Sequence, residues 1–244
     1  TLFAGLGATS AVLMLVFKDT ITGLAAGVRL TSNDMLHKGD WITVKSVDAN
    51  GIVEDMSLTT VKVRNFDNTI VTISPITLVN GSFQNWIGMQ KSGGRRVKRV
   101  VYFDFRSVRL VDETLKRNLL AKHFATEDSF KLKESLQKAI DKDIQEGKDI
   151  EDLKNPAALA PTNLQLYRKF MEKYLRQRPE VNTDLTLMVR HMEATQCGLP
   201  IEFYFFIKDK VWVNYEHILA DIMEHAYALA NEFGLKIYEQ YPKQ

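Results

Sequence analysis

From Leu2 to Phe17 the chain carries no charged residue: LFAGLGATSAVLMLVF. A run this apolar needs a core, a bilayer or other apolar helices around it. As a helix it extends roughly 24 Å at ~1.5 Å per residue. A bilayer core is about 30 Å thick and usually takes ~20 apolar residues to cross. The segment therefore spans a membrane only if it is extended upstream or surrounded by other helices. The chain opens on Thr1 inside this run, and no basic flank precedes it, so it does not read as a signal peptide. The expectation is a fragment, or the ordered part, of a longer membrane protein with further spanning segments upstream.

Small residues crowd the first half of the run: Ala4, Gly5, Gly7, Ala8, Ser10 and Ala11. Ala4/Ala8 and Gly7/Ala11 stand at small-xxx-small spacing, which lets helix backbones approach closely inside a membrane. On this stretch alone a membrane-packed helix and a pore-forming helix fit equally. Lys18 and Asp19 then interrupt the run before TITGLAAGVRLT. Asp19 is expected to cap a second helix from Thr20 to about Leu30. The charged pair would mark the water boundary, with a short amphipathic helix near the membrane surface beyond it.

Between residues 38 and 74 the period changes. Trp41–Val44, Gly51–Met56, Thr60–Arg64 and Thr69–Ile73 alternate apolar with polar or are rich in β-branched residues. Lys38-Gly39-Asp40, Asn50-Gly51 and Asp67-Asn68 read as turns between them. Four to five short strands at this spacing predict a small all-β, barrel-like domain. Pro75 is expected to end the last strand, with residues 76–87 as a connector. A basic loop carries Lys91, Arg95, Arg96, Lys98 and Arg99, and Val97–Phe105 reads as a strand. Beyond it, helices are expected at Val108–His123, Leu164–Leu175 and Asn214–Phe233, with strands at Asp184–Met192, Ile201–Ile207 and Leu235–Tyr238. Residues 126–165 are polar, with an acidic stretch from Asp141 to Asp152. The order predicts an α+β, ferredoxin-like C-terminal domain. Three regions follow: residues 1–33, the apolar and amphipathic helices; 34–90, the β-domain; and 91–244, the α+β domain with a polar insertion at about 120–170.

The stretch FKDTITGLAAGVRL resembles the junction between pore helix and amphipathic helix in the mechanosensitive channel of small conductance family. KGDWITV…GIVEDMSLTTVKVRNFDNTIVTIS resembles that family's cytosolic β-domain, and SFQNWIGMQKSGGRRVKRV is similar to its miniconductance branch. The resemblance implies a homo-heptamer with a kinked, pore-lining transmembrane helix and a hollow cytosolic vestibule. It implies a bacterial inner membrane protein, multi-pass when full-length, with a cytoplasmic C-terminal domain. Its partners would be its own copies, membrane lipids, and permeating ions and small solutes. Carried over by position, Ala11 and Leu15 fall at the pore-constricting rings, and Ala4, Gly7, Ala8 and Ser10 at helix–helix seams. Lys18 and Asp19 fall at the helix break, where Asp19 replaces a kink-forming glycine. Ser74-Pro75 replaces a Pro-Asn pair. Ala11 is smaller than the family's usual leucine, which leaves Leu15 as the main constriction. The function implied is a tension-gated ion channel that relieves hypoosmotic shock.

Other residues fit bland roles. Arg95, Arg96, Lys98 and Arg99 read as a solvated vestibule surface that tunes local ion concentration. His217, Asp221 and His225 stand at i, i+4, i+8 on a helix, and an ordinary polar face accounts for them better than a metal. Cys197 is the only cysteine, which excludes an intrachain disulfide. No catalytic triad, phosphate-cradling glycine loop or nucleophile elbow is present. No enzyme, cofactor or metal is expected. A net charge of +2 gives no global case for nucleic acid. The competing readings are a membrane osmotic sensor or scaffold that rarely conducts, and a nucleic-acid-binding β-barrel module.

Overall fold

The structure, a computed structural model, describes residues 2–131, 134–146 and 160–240, and of residues 2–6, 8 and 134–137 the backbone alone. The chain divides into two compact units, residues 1–92 and 93–244.

The first unit begins with one α-helix, α1 (Leu2–Ser32). The break expected at Lys18 and Asp19 is absent: the helix runs through both, and residues 20–30 continue it. Both residues keep their backbone N–H, so neither interrupts the ladder as proline would. Thr22 Oγ1 also donates to the Lys18 carbonyl at 2.8 Å. The helix stops at Asp34, which takes a left-handed conformation (φ 57°) while Met35 N–H donates back to Leu30 O.

Five strands follow: β1 (Trp41–Val44), β2 (Ala49–Met56), β3 (Val61–Asn65), β4 (Ile70–Ile73) and β5 (Gln84–Asn85). They form one antiparallel sheet in the order β4-β3-β2-β1-β5. This is the small all-β domain expected, with no ladder joining β5 to β4 among the described residues. Alternation buries Ile42, Val44, Val53, Val61 and Val63 on one face, where Leu30, Leu36 and Leu78 complete the core. Asn50-Gly51 is not the expected turn. The chain reverses at Asp48 (φ 52°), and Gly51 lies inside β2, where a β-carbon would overlap the Arg64 carbonyl. Pro75 starts a short helix, α2 (Pro75–Asn80), rather than a connector, as its fixed φ and missing N–H favour at the first helical position. Helix α3 (Ile87–Lys91) follows β5.

The second unit is built on β6 (Arg95–Phe103), β7 (Met188–His191) and β8 (Leu199–Ile207), antiparallel in the order β6-β8-β7. The expected closing strand at 235–238 shrinks to one bridge, Phe103 with Ile237. Asp104 N–H to Lys236 O and Tyr238 N–H to Tyr102 O flank it. That bridge places the last segment beside β6, which completes a ferredoxin-like order. Helices α4 (Glu113–Ala121), α5 (Glu134–Gln145), α6 (Asn163–Gln177) and α7 (Trp212–Glu232) accompany the sheet. Helix α4 starts five residues later than expected because Asp112 caps it, accepting from Leu115 N–H at 2.7 Å. The acidic stretch ends outside the described residues, at 147–152.

Phe103, Phe203, Phe205, Tyr167, Met171 and Ile222 are among the buried core residues. Asn163, wholly buried, accepts from Arg109 N–H and Leu164 N–H and donates to Ser107 O and Phe233 O. At the outer edge of β7, Glu172 Oε1 accepts from Val189 N–H at 3.0 Å and Arg168 donates to Val189 O at 3.2 Å.

Candidate pore helix and its seat

At ~1.5 Å per residue α1 is about 46 Å long. Val12, Leu13, Met14, Leu15, Val16 and Phe17 are all exposed, Leu15 to 74% and Met14 to 71%. Successive helical positions turn by about 100°, so this run covers every face of the helix. None of them belongs to a buried core cluster among the described residues, and large exposed apolar surfaces mark contact with lipid or other protein. From Thr9 to Ser32, α1 is long and apolar enough to cross a membrane.

Ala11 and Leu15 are one turn apart on the same stripe, and both are exposed. Gly7 and Ser10 are exposed as well, and a β-carbon on Gly7 would meet nothing within 4 Å. Ala4 and Ala8 lie on α1, but their side chains fall outside those described. Lys18 and Asp19 are exposed midway along the helix.

The last turns of α1 behave differently. Ala26, Gly27 and Leu30 are buried on one face, turned to the β-domain. Gly27 lies against the backbone of Leu58 in the β2–β3 turn, so close that a β-carbon would overlap its carbonyl. Sequence reasoning placed close packing between Ala4 and Ala11 and missed this seat, although the run Ala25-Ala26-Gly27 carried the same small-residue signal. At the helix exit, Asp40 is buried and its Oδ2 accepts from His37 N–H at 3.0 Å and Asn85 Nδ2 at 2.8 Å. Trp41 stacks on Trp86 with ring centroids 4.7 Å apart.

Lys91 ends α3, whereas Arg95, Arg96, Lys98 and Arg99 lie on strand β6 rather than in a loop, where alternation puts Arg96 and Lys98 on one face and Arg95 and Arg99 on the other. Arg95 sits 4.3 Å over the Tyr215 ring, and Tyr215 donates to Arg96 O at 2.9 Å. Burial raises the pKa of the Tyr215 hydroxyl, with Arg95 acting in the opposite sense. Lys98, on the other face, reaches the wholly buried Glu202 at 3.6 Å, and Arg190 Nε donates to that carboxylate at 2.6 Å. Arg96 and Arg99 are exposed. Of the four cations, Arg95 is the one that is partly buried. His225 stacks on Tyr174 with its Nδ1 2.9 Å from Asp221 O. Among the described residues no group of His, Cys, Asp or Glu is gathered to hold a metal.

Residues 19–88 match the family described as mechanosensitive ion channel, beta-domain. Two relatives are channels of Methanocaldococcus jannaschii. The small-conductance mechanosensitive channel MscMJ is 34% identical over 84 residues, 34% of this chain and 23% of that protein. The large-conductance mechanosensitive channel MscMJLR is 30% identical over 129 residues, 52% of this chain and 35% of that protein. The matched region thus spans about a quarter to a third of those relatives. Among solved structures, the closed-state crystal structure of Helicobacter pylori MscS superposes with a TM-score of 0.60 at 14% identity, covering 100% of this chain and 72% of that one. Arabidopsis thaliana MSL1 does so at 0.64 and 10% identity, covering 98% of this chain and 66% of the other. At such identities the likeness is one of fold.

Proposed function

Taking this chain as a member of the mechanosensitive channel of small conductance family, we propose that several copies of α1 line a pore opened by membrane tension. The observation that carries this is the run Val12–Phe17, exposed on every face of a helix whose far end is seated on a folded domain. Such a helix needs lipid on one side and copies of itself on another. Small residues at Gly7, Ser10 and Ala11 let neighbouring helices slide without clashes. The assembly is a homo-heptamer in a bacterial inner membrane, with the β-domain and the second unit in the cytoplasm and lipid around the helices.

The gate is a dry constriction. A ring of Leu15 side chains a few ångströms across excludes water, so an ion entering it would lose hydration with nothing to replace it. Tension favours the state of larger in-plane area and acts as a ligand does, through its difference between two states. Opening widens and rehydrates the ring, and ions and small solutes leave the cell during hypoosmotic shock. No catalytic step is involved. The test is single-channel recording of the full-length protein under graded suction, in a strain lacking other such channels. Conductance steps that rise with suction support the proposal. A membrane that stays silent up to lysis, with the protein present and assembled, overturns it.

A further inference from the structure

Both nitrogens of the His37 ring face carboxylates. Nε2 is 3.1 Å from Asp34 Oδ1, at the left-handed stop of α1, and Nδ1 is 4.0 Å from Asp40 Oδ2, at the entrance to β1. Among the described residues, these are the charged groups within ion-pair reach of the ring. Lys38 is adjacent in sequence and exposed, and Asn85 from β5 is the neutral neighbour on the far side of Asp40. A neutral imidazole has one N–H and can serve only one of the two carboxylates. The protonated ring carries a positive charge within ion-pair distance of both.

This arrangement sits on a joint. Asp40 accepts the His37 backbone N–H, and Asn85 Nδ2 reaches both Asp40 Oδ2 at 2.8 Å and Met35 O at 3.3 Å. One buried carboxylate thus gathers the exit of α1, the start of β1 and the edge strand β5. The ring itself is half-exposed, so protons reach it from solvent.

We propose that His37 makes this joint a proton-sensitive clamp. On acidification the ring gains charge and draws Asp34 and Asp40 together, which stiffens the link between α1 and the β-domain. As pH rises the ring loses its proton and the extra hold disappears. Its effect on opening rests on the channel reading above: a stiffer joint resists displacement of α1, so acidity on the cytoplasmic side raises the tension needed to open. The clamp itself does not depend on that reading.

The test uses the full-length oligomer in lipid nanodiscs, with His37→Gln as the uncharged variant and His37→Arg as the permanently charged one. Hydrogen exchange over residues 33–42, corrected for the intrinsic pH dependence, is compared well below and well above the ordinary imidazole range. Wild-type exchange is expected to be about two- to fivefold slower under acid, as suits a partly exposed pair. His37→Gln loses that dependence, and His37→Arg is slow at both. A His37→Gln protein that keeps the wild-type response overturns the clamp. Suction thresholds of the same three proteins then separate the two ideas. Tension-gated currents with no His37-dependent pH response leave the channel standing and overturn the clamp's effect on opening. The expected exchange with no current at any tension leaves the clamp without the channel.

Discussion

Gly27 lies directly on the backbone of Leu58, with no room for a β-carbon between them. On a helix, replacing glycine by alanine ordinarily gains about 0.5–1 kcal/mol. At Gly27 overlap with a main-chain carbonyl outweighs that gain. Gly27→Ala is expected to destabilise the protein by about 1–3 kcal/mol. Gly23→Ala, whose β-carbon meets nothing within 4 Å, should be neutral or stabilising. Thermal unfolding of the detergent-solubilised protein compares the two, and opposite signs are the result to look for.

Leu15→Ser puts a hydroxyl where the proposed ring must stay dry. The variant should open at lower tension than wild type and leak at rest. Patch recordings showing an unchanged threshold and conductance would remove Leu15 from the gate.

Asn163 joins the 107–109 segment, the start of α6 and the end of α7 through four hydrogen bonds. Asn163→Ala strands buried backbone groups and should cost about 3 kcal/mol, since each unmet group costs roughly 1–3. Urea unfolding followed by tryptophan fluorescence measures it.

Glu202 is wholly buried, but Arg190 and Lys98 are about half exposed, so solvent screens the pair from one side. Glu202→Gln should cost about 1–2 kcal/mol, less than a fully buried pair would lose. Glu202→Leu should be no worse than Glu202→Gln, because it buries no polar group at that position and the half-exposed Arg190 and Lys98 turn to water. Chemical denaturation of both variants decides the order.

Hydrogen bonds from the Arg106 side chain and backbone lower the Asp104 carboxyl from 3.8 to about 2. A depressed carboxylate stabilises the fold above its ordinary range and loses that contribution as pH falls toward about 2. Arg106→Gln should return the titration toward 3.8, which carboxyl-carbon NMR would register directly.

The β-domain was legible because its signal is local. Val53, Val61 and Val63 alternate with polar neighbours, and Gly39 and Asn68 stand where positive φ is needed. The unbroken α1 was not, because Lys18-Asp19 looks like a stop yet removes no hydrogen bond. Nor was the seat at Gly27. A small residue reads the same in sequence whether lipid, a neighbouring helix or a carbonyl lies opposite. Glu202 was hidden for a related reason: Lys98 comes from β6, far away in the chain, and Arg190 faces it only once β7 pairs with β8. The closing segment failed as a strand because Gly234 (φ 67°) and a single bridge leave it too little ladder to pair. For the pore residues, sequence put Ala11 and Leu15 on one stripe; both are exposed, as is every face of the run from Val12 to Phe17, so the choice of stripe rests on the proposed assembly.

The side chains of Glu172 and Arg168 already occupy Val189's free amide and carbonyl, so the rim of the second sheet offers no template there for another chain's backbone. Several such domains, gathered as in the proposed oligomer, would otherwise risk zipping edge to edge into an open-ended ribbon. With that route blunted, copies are left to meet through side-chain surfaces, whose geometry can close a ring and then stop.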